Sequence, residues 1–201
     1  ANMTIDMGGL GKWNINQGNS GNGISAYDDK MPTAWEESWG NGVSTGVRLA
    51  LGVGSSMNVQ YTAPKILGTT IALAYTPEYG AAQVSDKNTG VASNDSGAAY
   101  DATININPSL GTEILSGLNL FVGGSTIERQ TSANDLYEGV AGVTYDIGPL
   151  SIGAQVSGDY TGVDDSQHDD GDNTYNLYKN FAYGVAFNVN DDFSISYGRW
   201  T

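Results

Sequence analysis

The chain has 201 residues, with 28 Gly, 12 Tyr, 4 Trp, 5 Pro and no Cys, and its 8 Lys+Arg against 22 Asp+Glu leave a formal charge of −14. The missing cysteine excludes disulfide staples, Cys-ligated zinc and iron–sulfur clusters, and the acidic balance argues against nucleic-acid binding, which needs clustered Lys and Arg. No apolar run approaches the roughly 20 residues of a membrane helix, yet a transmembrane barrel of ~10-residue alternating strands is compatible with a mean hydropathy of −0.28.

Asn2 to Met7 alternates, with Met3, Ile5 and Met7 on one side. A long glycine-rich segment follows before the next clean strand, and a loop of that length is unusual unless it is functional. It carries the run Asp28-Asp29-Lys30-Met31-Pro32-Thr33-Ala34-Trp35-Glu36-Glu37-Ser38-Trp39. Thr33 and Glu36 have the spacing of a capping box for a short helical turn.

Period-two alternation then dominates, the mark of a β-strand. Met57, Val59, Tyr61 and Ala63 oppose Asn58, Gln60 and Thr62. After a break at 64–68, Ile71, Leu73 and Tyr75 oppose Thr70, Ala72 and Ala74. Further strands are predicted near Tyr100 to Asn107, Leu118 to Ile127, Tyr137 to Tyr145, Leu150 to Tyr160, Phe181 to Val189 and Phe193 to Tyr197. Ile104, Ile152, Ala154, Val156, Val185, Phe187 and Ile195 join Met57, Val59, Tyr61, Ile71 and Leu73 on one apolar face. About nine strands result.

Short breaks at 64–68, 147–149 and 190–192 alternate with longer polar ones at 77–97, 128–135 and 160–176. Short turns at one end and long loops at the other describe an up-and-down meander, a pattern of membrane barrels that a soluble sandwich has no reason to adopt. The non-apolar face is rich in Gly, Ser, Thr, Ala and Asn, which suits the wall of a water-filled lumen. Tyrosines recur near strand ends, where an aromatic girdle places them.

The stretch Tyr27 to Gly40, with Asn58-Val59-Gln60-Tyr61-Thr62-Ala63-Pro64 and Thr70 to Pro77 after it, resembles the constriction loop and following strand pair of alphaproteobacterial general porins, Gram-negative outer-membrane proteins. Met31 before Pro32 departs in detail from the Val-Pro-Thr-Ala-like sequence of that loop. The resemblance implies an all-β fold, a transmembrane antiparallel up-and-down β-barrel. Residues 1–201 would be one barrel region, an internal portion of a sixteen-stranded barrel, with a complete eight-stranded barrel as the alternative. Residues 9–46 would form the in-folded constriction loop and 57–200 the strand meander. It implies passive diffusion of small hydrophilic solutes and ions through the bacterial outer membrane, a homotrimer, and contact with outer-membrane lipid and lipopolysaccharide. No enzymatic step, cofactor or nucleic-acid partner is expected. Asp28, Asp29, Glu36 and Glu37 are the expected constriction residues, acting as an electrostatic filter.

The single histidine, His168, lies in the acidic stretch around Asp164, Asp165, Asp169, Asp170 and Asp172. Those five aspartates are weak candidates for loosely held Ca2+ or Mg2+, since the spacing lacks the bidentate Glu of a calcium loop. Gly8-Gly9-Leu10-Gly11 has no Gly-Lys-Ser/Thr behind it and is not a phosphate cradle. A soluble β-sandwich or adhesin-like binding protein with acidic loops is the alternative function.

Overall fold

The computed structural model describes residues 1–17, 21–34, 47, 49–54, 56–79, 96–108, 113–129, 134–162 and 176–201. The described residues form one antiparallel sheet of ten strands, each hydrogen-bonded to its neighbours in chain order. The strands are β1 (Asn2–Asp6), β2 (Lys12–Gln17), β3 (Met57–Thr62), β4 (Thr69–Thr76), β5 (Ser96–Ile106), β6 (Leu118–Arg129), β7 (Leu136–Ile147), β8 (Leu150–Tyr160), β9 (Leu177–Asn190) and β10 (Phe193–Trp200). One α-helical turn, α1 (Glu113–Ser116), precedes β6.

The strand count of about nine is corrected to ten. The added strand is β2, in which Trp13 and Ile15 alternate with Lys12, Asn14 and Asn16 and pair with Tyr61 and Val59 of β3. The expected start of the in-folded loop at residue 9 is corrected with it, because Lys12–Gln17 is sheet. With β2 in place, the connections at 7–11, 63–68, 107–117, 148–149 and 191–192 share one end of the sheet. Those at 18–56, 77–95, 130–135 and 161–176 share the other. The sorting by length holds except that 107–117 is longer than 130–135.

Local chemistry makes the short turns. Leu67 (φ 48) and Gly68 (φ 83) both have positive φ between the bridged pair Ile66 and Thr69. That is the backbone of a type I′ hairpin, whose twist matches the strands it joins. Gly148 (φ 58) and Pro149 turn β7 into β8. The Asp192 N–H donates to Asn190 Oδ1 (2.9 Å) in the last turn.

The pleat sends successive side chains to opposite faces, so the alternation becomes two chemically distinct surfaces. All twelve residues assigned above to the apolar face share it in the observed register. That face is uncovered: Leu73 is 55%, Val156 50%, Val185 37% and Phe187 41% exposed. The opposite face holds the buried residues. Asn180, Ala182, Gly184 and Ala186 are buried between exposed Phe181, Tyr183, Val185 and Phe187 along β9. The described residues contain no second sheet. What covers the polar face is the described part of the connection between β2 and β3, residues 22–32 and 49–54.

Candidate functional site

That connection crosses the polar face in order of strand. Gly23–Tyr27 forms a 3-10 turn. The Gly23 N–H donates to Gln60 Oε1 on β3 (2.7 Å), and the Ile24 N–H to Asp101 Oδ2 on β5 (2.9 Å). Ile24 is fully buried in a small cluster with Ala50, Phe121 and Val140. The Tyr27 ring stacks on Phe121 of β6 at 5.2 Å. At β8, Gln155 reads the passing backbone in both senses: its Nε2 donates to the Asp28 carbonyl (2.7 Å) and its Oε1 accepts from Lys30 N–H (3.3 Å). Met31 then packs with Ala182 of β9 and Trp200 of β10. Pro32 lies so close to the wall that a Cβ at Gly184 would stand 2.8 Å from its carbonyl oxygen.

The return leg is pinned by carboxylates. The Leu51 N–H (3.0 Å) and the Gly52 N–H both donate to Glu138 Oε2 on β7. The Val53 N–H donates to both oxygens of Asp101 (3.2 and 3.1 Å). Val53 fills a cluster with Ala74, Ala99, Ile127 and Leu136. Asp101 and Glu138 are 3% and 8% exposed, and a buried carboxylate is tolerable only when its oxygens accept hydrogen bonds. Here the partners are the backbone N–H groups of Ile24, Leu51, Gly52 and Val53, which lie in no strand. Each side thereby resolves the other's desolvation.

Two glycines make this clamp possible. Gly23 (φ 65) and Gly52 (φ 52) have left-handed backbone, and a Cβ on either would collide with the Asp101 carboxylate. Beside the clamp lies a carboxamide network. Asn22 Nδ2 donates to Asn14 Oδ1 (3.0 Å) and Asn58 Oδ1 (2.7 Å), and Asn58 Nδ2 to the Ser56 carbonyl (2.8 Å).

Of the expected constriction residues, Asp28 and Asp29 lie on this crossing segment, half-buried and opposite β8. Burial pushes the Asp28 carboxyl up to about 7, and the neighbouring Asp29 charge pushes in the same direction. Glu36 and Glu37 lie outside the described residues, as does the partner half of the Thr33–Glu36 capping box. His168 and the candidate ion ligands Asp164, Asp165, Asp169, Asp170 and Asp172 also lie outside them. Among the described residues no group of three His, Cys, Asp or Glu side chains is placed to hold a metal ion.

Sequence reasoning missed Asp101, Glu138, Gln60 and Gln155. Their signal was present as polar residues in alternation with apolar ones, but that pattern also fits ordinary wall lining. Only long-range contacts give them their role: Gly23–Gln60 across 37 residues, Ile24–Asp101 across 77, Gly52–Glu138 across 86 and Asp28–Gln155 across 127. The chain matches no family model, and no curated protein is significantly similar to it.

Proposed function

We propose that the chain forms the wall and constriction of an outer-membrane porin, a passive channel for small hydrophilic solutes and ions. One observation carries this reading: the sheet is inside out for a protein in water. Its large apolar side chains are exposed on one face, and its polar residues are buried on the other beneath a segment of the same chain. In water, exposing a continuous apolar face forfeits roughly 25 cal/mol per Å2 of potential burial, whereas lipid removes that cost.

Dimensions support it. Ten steps along β8 (Leu150–Tyr160) at about 3.3 Å each, tilted about 40°, rise about 25 Å, the height of a barrel's apolar band. Tyr75, Tyr100, Tyr137 and Tyr160 share one cross-strand row on the apolar face, with Thr126 between Tyr100 and Tyr137. That row suits the aromatic girdle at the long-loop end. The segment from Asn22 to Pro32 plays the part of a loop folded into the lumen, held to the wall by Gln60, Asp101 and Gln155, while Glu138 and Asp101 hold its return leg at Leu51, Gly52 and Val53. Asp28 and Asp29, with Glu36 and Glu37 further along the same segment, supply its negative charge.

The proposal carries a requirement. Strands β1 and β10 each have one hydrogen-bonded neighbour among the described residues. An open edge in lipid costs several kcal/mol per unpaired group, so the porin must close, β1 on β10 or both on further strands. The soluble sandwich is disfavoured by the exposure of Val185 and Phe187, which it would bury. Planar-bilayer recording tests the proposal: purified protein added from detergent should give stepwise, ohmic conductance. A protein that stays soluble without detergent and leaves the bilayer silent contradicts it.

A further inference from the structure

The apolar face is furrowed. Ala102, Gly124, Gly139 and Gly158 stand side by side on β5 to β8 in register. The tyrosine row forms one bank, and Ile104, Val122, Ala141 and Val156 form the other. A cavity of about 850 Å3 lies over Ala102 and Gly124, reaching Trp13 and Leu73. A second of about 370 Å3 continues it over Gly139 and Gly158. The chain itself does not demand these glycines. None of the three has positive φ, and a Cβ on any of them would meet nothing nearer than 3.7 Å. Glycine inside a strand weakens it, and it marks places where something outside the strand approaches closely.

The furrow ends on a cation. The residue paired with Gly158 across the next strand is Lys179 of β9, which is exposed on the same face. Among the described strand residues of that face only Glu128, Lys179 and Arg199 are charged. The Lys179 side chain has no hydrogen bond or ion pair with any described residue. It lies two residues inside the long-loop end of β9, whereas Ala102 lies six inside that end of β5. The furrow therefore descends from Lys179 into the apolar band. Four strand spacings of about 4.8 Å give it a length of about 19 Å, which on an incline suits one leaflet of a ~30 Å hydrocarbon core.

We propose that this furrow seats one acyl chain of an anionic, phosphate-bearing lipid, with the Lys179 ammonium on the lipid phosphate. The proposal rests on the porin reading. A narrow apolar channel accepts hydrocarbon, and the lone cation at its upper end, on a chain of charge −14, complements a headgroup phosphate. Lysine binds phosphate as a compact point charge.

The test is native mass spectrometry of the detergent-solubilised protein with limiting dioleoyl phosphatidylglycerol or dioleoyl phosphatidylcholine, alongside bilayer conductance of the same samples. Wild type should retain one phosphatidylglycerol per chain in preference to phosphatidylcholine. Lys179→Gln should weaken phosphatidylglycerol retention about tenfold, and Gly139→Leu with Gly158→Leu should weaken retention of both lipids. Excess inorganic phosphate should not displace the lipid, because the acyl chain supplies part of the affinity; displacement would reduce the site to a phosphate contact and overturn the proposal. Channels with lipid retention unchanged in all variants would also overturn it, leaving the porin reading standing. A second copy of the chain that is lost in Gly139→Leu with Gly158→Leu would assign the furrow to self-association instead. A wild type that neither conducts nor needs detergent removes the porin reading and this inference with it.

Discussion

At the residue scale Asp101, Gly52 and Asp28 govern the in-folded segment. Asp101 holds both legs of the in-folded segment, through Ile24 and Val53. Asp101→Ala leaves those two buried N–H groups without their acceptor, which costs about 1–3 kcal/mol. The expected outcome is a lower unfolding midpoint in detergent and noisier single-channel current, as the segment loses its anchor. Gly52→Ala should act on the same clamp from the other side. It forces a side chain into left-handed backbone at about 1–2 kcal/mol and drives it into Asp101. Combined with Asp101→Ala, the Gly52→Ala cost should shrink, because the colliding carboxylate is gone; thermal unfolding of the double variant reads that coupling.

Asp28 supplies a pH dependence. Its carboxyl is raised from 3.8 to about 7, so its charge develops through the neutral range rather than below pH 5. Because the folded value is the higher one, its contribution to stability is fully present below the unfolded value and is lost as pH rises through about 7. Cation preference should move the other way, rising as Asp28 ionises. Zero-current potentials on either side of pH 7 should show that rise in wild type and a flatter profile in Asp28→Asn.

At the scale of the strand, most of the fold was legible because period two leaves little freedom. In β9, Phe181, Tyr183, Val185 and Phe187 against Ala182, Gly184 and Ala186 permits one assignment of faces. Strand β2 was not legible. Six residues between Gly11 and Gly18 carry only two strong apolar positions, Trp13 and Ile15, and the surrounding glycines read as loop. Its identity comes from six pairs with β3, running from Gln17 with Met57 to Lys12 with Thr62, a partner strand far along the chain. The site was half legible. The segment bearing Asp28 and Asp29 was recognisable, but the groups that hold it, Asp101 and Glu138, looked like lumen lining until the register placed them beneath it. The two faces of β9 should answer substitution differently. Val185→Arg should cost about 2–4 kcal/mol near the bilayer midplane, whereas Ala186→Arg, on the polar face, should chiefly alter conductance and its ion preference. Urea titration from vesicles, paired with current recording, separates the two effects.

At the scale of the whole molecule, the chain carries 22 Asp+Glu against 8 Lys+Arg, and the described segment over the polar face carries Asp28 and Asp29. Low-dielectric walls focus such a field on whatever passes, favouring cations and opposing anions. A KCl gradient should therefore give a potassium-selective zero-current potential, weaker at high salt as the Debye length contracts. Glu36→Gln with Glu37→Gln should reduce it. Chloride preference would refute the electrostatic part of the account and leave the channel intact.

The central claim is that the apolar face meets lipid and the polar face does not. The chain has no cysteine, so single cysteines can be placed without background at Ala182, Tyr183, Gly184, Val185, Ala186 and Phe187, spin-labelled, and reconstituted in vesicles. Accessibility to oxygen, which concentrates in hydrocarbon, should peak at Tyr183, Val185 and Phe187 and fall at Ala182, Gly184 and Ala186. Uniformly low oxygen accessibility at both sets, with the labels at 183, 185 and 187 as shielded as their neighbours, would contradict the account.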